Sequence, residues 1–90
     1  MTIVKYNIIS YHKKGRYKMI VYTPFWDTLE KSEETTYTLI HNHKISSATI
    51  NRIRHNEGIS TLKINDLCRI LNCRVEDILL YIEDKNDQKL

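Results

Sequence analysis

The 90-residue chain has room for a single domain. With 41% apolar and 28% charged residues, and no apolar run near the ~20 residues that cross a bilayer, it reads as neither disordered nor membrane-spanning. The net charge of +3 is modest but segregated, because residues 1–22 hold Lys5, Lys13, Lys14, Arg16 and Lys18 and no acid. Residues 35–65 are again basic, whereas 23–34 and 66–90 are net acidic. Such blocks suit a partner of repeated negative charge better than an even mixture would.

The first two dozen residues carry a strand signal. Ile3, Val4, Tyr6, Ile8, Ile9 and Tyr11 precede Lys13-Lys14-Gly15-Arg16, and Tyr17, Met19, Ile20, Val21 and Tyr22 follow it. β-Branched and aromatic residues around a short glycine turn predict a hairpin. It would pair Lys13 with Arg16, Ile9 with Ile20 and Ile8 with Val21. A lone hairpin is barely stable in water, so it must pack on the rest of the chain or meet a second copy. The start of the chain lacks the basic segment, long apolar stretch and cleavage site of a secretory signal, which points to the cytoplasm.

Pro24 ends the strand and suits a first helical turn. From there the apolar period lengthens to that of a helix. Phe25, Trp26 and Leu29 mark a first helix closing near Ser32; Thr35 caps a second, with Leu39 and Ile40 inward. Ser46 caps a third helix seated by Ile50, Ile53 and, in part, Ala48, and Asn56-Glu57-Gly58 breaks it. Ser60 or Thr61 caps a fourth, with Leu62, Ile64, Leu67, Cys68 and Leu71 inward, and Asn72 suits a left-handed ending. A fifth helix is expected from near Val75, with Ile78, Leu79 and Ile82 on its apolar side. The expected organisation is a hairpin extension (1–23), a mainly α helical domain of five helices (24–83) and a polar, fraying tail (84–90).

The pair spanning Thr35 to His55 carries the functional signal. A cap, an apolar pair, a short turn through His43-Lys44, Ile45, a second cap and then Ile50 and Ile53 fold two helices across each other. On the third helix Ser47, Thr49, Asn51, Arg52 and Arg54 are read as outward; all form hydrogen bonds and none is acidic. A helix that reads base edges in the major groove needs such a surface.

Residues from about Met19 to Tyr81 resemble the lambda-repressor/Cro-like (XRE-type) helix-turn-helix family. They are nearest its small Cro/C1-type branch, with a Trp in the first helix and a Leu-Cys pair in the fourth. The stretches that carry the resemblance are Tyr22-Thr23-Pro24-Phe25-Trp26-Asp27-Thr28-Leu29, Ile45-Ser46-Ser47-Ala48-Thr49-Ile50-Asn51-Arg52-Ile53 and Leu67-Cys68-Arg69-Ile70-Leu71-Asn72-Cys73, with Glu76-Asp77-Ile78-Leu79. The resemblance implies a lambda-repressor-like DNA-binding fold and a bacterial or phage transcriptional regulator, expected to be a repressor acting on double-stranded DNA as a homodimer. It places Thr36 on a phosphate, Ser46 and Ser47 on backbone or a first base, and Thr49 and Asn51 on base edges. Arg52 and Arg54 would meet phosphate or guanine, and Ser60, Thr61 and Lys63 a second phosphate. It also implies a small residue where Ile40 stands. Where Lys44 stands it implies a glycine of positive φ, at a cost of about 1 kcal/mol for lysine or a changed turn.

Other readings stand beside these. Lys13, Lys14, Arg16 and Lys44 are candidate backbone contacts, though the Lys13–Arg16 tip equally suits edge-strand protection. His41, His43 and His55 read as exposed histidines, with weak phosphate contact open to His43 and His55. Phe25 and Trp26 read as core; Tyr37 reads either as a phosphate contact or as a surface aromatic. Cys68 and Cys73 have neither a zinc-ligand spacing nor a neighbouring histidine and read as reduced core thiols. No glycine-rich phosphate loop, activated nucleophile or metal cluster is legible, so neither an enzyme nor a cofactor is expected. The N-terminal hairpin is the candidate dimer contact. The alternative function is a protein-binding adaptor, such as a phage-type inhibitor, on the same fold.

Overall fold

The computed structural model describes residues 12–13, 16–17 and 19–83. β1 (His12–Lys13) and β2 (Arg16–Tyr17) pair antiparallel with Lys13 opposite Arg16, the register expected of the hairpin. The expected strand over residues 3–11, with Ile8 and Ile9 in it, lies outside the described residues, as does the polar tail. β3 (Ile20–Val21) pairs with β4 (Leu80–Tyr81), Ile20 opposite Tyr81 and Val21 opposite Leu80.

Four α-helices lie between these strands. α1 (Thr23–Lys31) carries Pro24 in its first turn, which the fixed φ of proline fits, and is closed by Ser32, whose N–H and hydroxyl both donate to the Leu29 carbonyl. α2 (Thr36–His41) is fixed by a reciprocal cap. The Thr35 hydroxyl accepts from the Thr38 N–H at 3.1 Å, and the Thr35 N–H donates to the Thr38 hydroxyl at 2.8 Å. α3 (Ser47–Arg54) is capped by Ser46, which accepts from the Thr49 N–H at 3.1 Å. α4 (Thr61–Leu71) is capped by Ser60 and closed by Asn72 at φ 54, ψ 55. The cap residues Thr35 and Ser46, and the left-handed Asn72, are those the sequence indicates.

The core gathers one stripe from every helix. Tyr22, Phe25, Leu29, Leu39, Ile45, Ile50, Ile53, Leu67, Leu71 and Ile78 are buried together, with Trp26, Ile40, Cys68 and Leu79 packed against them. At roughly 1.5–3 kcal/mol per fully buried aliphatic or aromatic side chain, this cluster is the main stabilising term. Leu62, expected inward, is 66% exposed. It lies in the first turn of α4 on the side opposite Leu67 and Leu71, the two residues of that helix that are buried. Ile64, also expected inward, is only half-buried and stands outside the core cluster.

The expected fifth helix is corrected. Val75–Asp77 form a single 3-10 turn, after which the chain extends into β4. Ile78 still reaches the core, as its helical spacing suggested, but the backbone beyond it pairs with β3 instead of with itself. The Ile82 N–H donates to the Met19 carbonyl at 2.7 Å. An unpaired edge at Met19–Val21 would leave backbone groups unsatisfied, and a short helix gains little from its own hydrogen bonds. Pairing wins.

Candidate nucleic-acid interface

α2, a short turn and α3 build the surface. The Ile45 N–H donates to the Leu39 carbonyl at 3.0 Å, and Ile45 plugs the corner between the two helices. The turn needs one left-handed residue, and Lys44 supplies it at φ 63. The lysine therefore accepts the positive φ that glycine adopts without strain. Lys44 is exposed, so this strained position carries a cation outward beside the start of α3.

A second device braces the turn. His43 Nε2 lies 3.1 Å from a carboxylate oxygen of Glu34, whose other oxygen accepts from the Thr38 hydroxyl at 2.6 Å. The Thr38 hydroxyl, with His43 adding to it, holds the Glu34 carboxyl below its ordinary range. His43 is thus paired with a carboxylate, not a lone exposed histidine. The two stand nine positions apart in the chain, and only the folded α2 brings them together, so no local spacing announces the contact.

Ile50 and Ile53 seat α3 as expected. With a repeat of about 3.6 residues, Ser47, Ala48, Asn51, Arg52 and His55 share the opposite side, and all are exposed. Two assignments change. Thr49 does not stand outward: it is only 6% exposed, and its hydroxyl lies 3.0 Å from that of Ser46. Ala48, expected to be partly inward, takes its place on the exposed face. The signal was present, since Thr49 stands four residues before Ile53 on the same stripe, but its hydroxyl suggested the surface. A threonine paired with the capping serine satisfies its hydrogen bond locally and can be buried.

The two arginines also differ. Among the described residues no hydrogen bond or ion pair engages the Arg52 guanidinium, which projects from the exposed face. Arg54 lies at the edge of that face, its guanidinium 5.7 Å from the centre of the Trp26 ring on α1. Trp26 is half-buried and packs edge-on to Phe25, so Arg54 lies over an aromatic pair of α1. The Asn51 carbonyl is 2.9 Å from His55 Nδ1, which fixes the last turn while leaving the Asn51 carboxamide outward.

Ser46 and Ser47 are exposed at the start of α3, Ser60 and Thr61 at the start of α4; Thr36 and Lys63 are half-buried. Ser60 accepts from the Lys63 N–H at 3.2 Å, so its own hydroxyl proton remains available to a ligand. Tyr37 is exposed on α2 and stacks on His41 with ring centres 4.1 Å apart. Lys13 and Arg16 face each other in the β1–β2 pair; Lys14 and the side chains of the Lys13–Arg16 tip lie outside the described residues. The exposed side of α3 therefore presents hydroxyls, a carboxamide, a methyl, an imidazole and a guanidinium, with no carboxylate.

Residues 25–84 match the Cro/C1-type HTH DNA-binding domain. The chain belongs to this family. The fold also resembles that in the crystal structure of transcriptional regulator VanUg (Form II), with a TM-score of 0.66 at 23% sequence identity, over 73% of this chain and 88% of that one. No curated protein matches the chain. Among the described residues no helix is long and apolar enough to cross a membrane, and no group of His, Cys, Asp and Glu is placed to hold a metal ion. The Cro/C1-type match runs from within α1 through β4, so the expected helix-turn-helix reading stands with four α-helices among the described residues instead of five.

Proposed function

We propose that this domain is a sequence-specific transcriptional regulator, in the repressor mode, that lays α3 in the major groove of double-stranded DNA. The carrying observation is the acid-free exposed side of α3, held outward by the buried Ile50 and Ile53. Asn51 suits bidentate pairing with adenine, Arg52 suits guanine or phosphate, and the Ala48 methyl suits contact with thymine. Ser46 and Ser47 would meet the adjacent backbone. Thr36 and Lys44 would hold one phosphate, and Ser60, Thr61 and Lys63 another at the α4 N-terminus. Arg54 contributes through its packing on Trp26, with phosphate contact at the rim of the interface.

A single module of this size covers little DNA, so the reading includes a two-fold homodimer in the cytoplasm, bound to half-sites about one helical turn apart. The N-terminal hairpin region is the proposed contact between copies. In support, Ile20 is 41% and its cross-strand partner Tyr81 60% exposed, an apolar pair on the β3–β4 ribbon.

The test is selection on random duplex DNA at near-physiological salt, repeated with Asn51→Ala and Arg52→Ala. An inverted-repeat motif is expected from the parent chain. Asn51→Ala should relax one base-pair position, with a loss of about 1–3 kcal/mol, and leave the helical circular dichroism unchanged. A chain that enriches no motif and binds every duplex with the same steep salt dependence is a nonspecific binder. A folded chain that binds no duplex is not a regulator of this kind, and a protein-binding role on this fold then takes over.

A further inference from the structure

The two cysteines take no part in the proposed DNA contact, yet the end of α4 brings them together. Cys68 lies in the last turn, and Cys73 follows Asn72, whose left-handed backbone turns the chain back on itself. The Cys73 N–H donates to the Cys68 carbonyl at 3.0 Å. This is the six-to-one bond of a Schellman ending, in which the side chains at these two positions meet. In most helices the pair is apolar; here it is two thiols, and Cys68 is near enough to help push the Cys73 thiol up. Both are free and half-buried, at the edge of the core and not sealed within it. A disulfide needs Cα atoms roughly 4.4–6.8 Å apart, and a backbone bond between the two residues favours that separation before any sulfur reacts.

We propose that Cys68 and Cys73 form a dithiol modification site that a small-molecule disulfide closes into an intramolecular disulfide. One cysteine thiolate attacks the small disulfide, forming a protein mixed disulfide and releasing one small thiol. The second cysteine then attacks the protein sulfur of that bond and releases the other small thiol. Two protein thiols are oxidised, and one small disulfide is reduced to two thiols.

Burial first, then the neighbouring Cys68 and the Asp77 carboxylate of the 3-10 turn, push the Cys73 thiol up to about 11. Cys73 is therefore protonated near neutrality, and Cys68 is the sulfur that meets the oxidant first. Once Cys68 is capped its thiol no longer opposes ionisation of Cys73, which favours the second step. Because the exchange runs through thiolates, it quickens as pH rises.

The experiment is incubation of the folded full chain with oxidised glutathione, followed by intact and peptide mass spectrometry, with Cys68→Ala and Cys73→Ala in parallel. The parent chain is expected to lose the mass of two hydrogens and yield a crosslinked Cys68–Cys73 peptide, with its helical circular dichroism kept and its unfolding temperature raised. Cys73→Ala should accumulate a stable glutathione adduct on Cys68, and Cys68→Ala should react more slowly. A parent chain that keeps glutathione on either sulfur, or stays unmodified while the urea-unfolded chain reacts, overturns the proposal. These readouts need no DNA, so their failure leaves the proposed regulator reading untouched.

Discussion

α3 and the segment Val75–Ile82 look alike in sequence and differ in structure. Each has apolar residues three apart, Ile50 and Ile53 in one and Val75 and Ile78 in the other, and each buries an isoleucine completely, Ile53 and Ile78. α3 becomes a helix because Ser46 satisfies its start, the Thr49 hydroxyl folds into the cap, and the chain on either side turns away at Lys44 and Asn56, both at positive φ. The C-terminal segment also has a start, since the Asp77 carboxylate accepts from the Arg74 N–H at 3.0 Å. It stops after one turn because β3 offers its backbone a partner. Periodicity says which residues face inward; the competing hydrogen-bond partner says what the backbone does meanwhile.

The largest expected effect asks whether both regions share one core. Ile53→Ala and Ile78→Ala should each cost about 2–5 kcal/mol in urea unfolding, since both side chains have no exposure and leave a cavity when truncated. Matching costs join the C-terminal segment to the same cooperative unit. A cost below ~1 kcal/mol for Ile78→Ala would set that segment apart from the helical body.

Next comes the pairing itself. Ile82→Pro removes the N–H that reaches the Met19 carbonyl, and should cost about 1–3 kcal/mol through the carbonyl it orphans. Ile82→Val keeps the donor and should cost less than the proline change. If the two variants melt alike, strand pairing is not what holds the segment extended. A smaller effect of opposite sign belongs to α3. Lys44→Gly relieves a lysine held at φ 63 and should stabilise the fold by about 1 kcal/mol or less, read as a raised unfolding temperature. If Lys44 also touches phosphate as proposed, the same variant binds DNA more weakly although it is more stable.

These contrasts explain what the sequence made legible. The caps were readable because a hydroxyl before an apolar stripe has one strong local use, and Thr35, Ser46 and Ser60 all serve it. Asn72 was readable as a left-handed ending for the same local reason. The face of α3 was read correctly for Ser47, Asn51 and Arg52 and wrongly for Thr49, because a threonine's burial depends on whether its hydroxyl finds a partner. Leu62 misled in the opposite way: being apolar, it suggests the core, yet it stands on the face of α4 turned away from the buried Leu67 and Leu71. The β3–β4 pairing, the Arg54–Trp26 stack and the His43–Glu34 contact were out of reach, since each joins residues that only the completed fold makes neighbours.

The gentlest perturbation probes that last contact, which ties the residue before α2's cap to the turn after it. Glu34 is held below its ordinary value of 4.5, first by the Thr38 hydroxyl and then by His43. A carboxyl depressed in the folded state contributes stability that is complete above the unfolded value and fades as pH falls through the lower folded one. Glu34→Gln keeps an oxygen for Thr38 but has no charge to lose. Its unfolding temperature should therefore decline less than the parent's as pH is lowered through and below 4.5, the two curves converging in acid and separating slightly at neutrality. Curves that stay parallel throughout would mean that the carboxylate is no better accommodated in the folded turn than in the unfolded chain. Lys44 would then hold its left-handed conformation on the strength of Ile45 and the two caps alone.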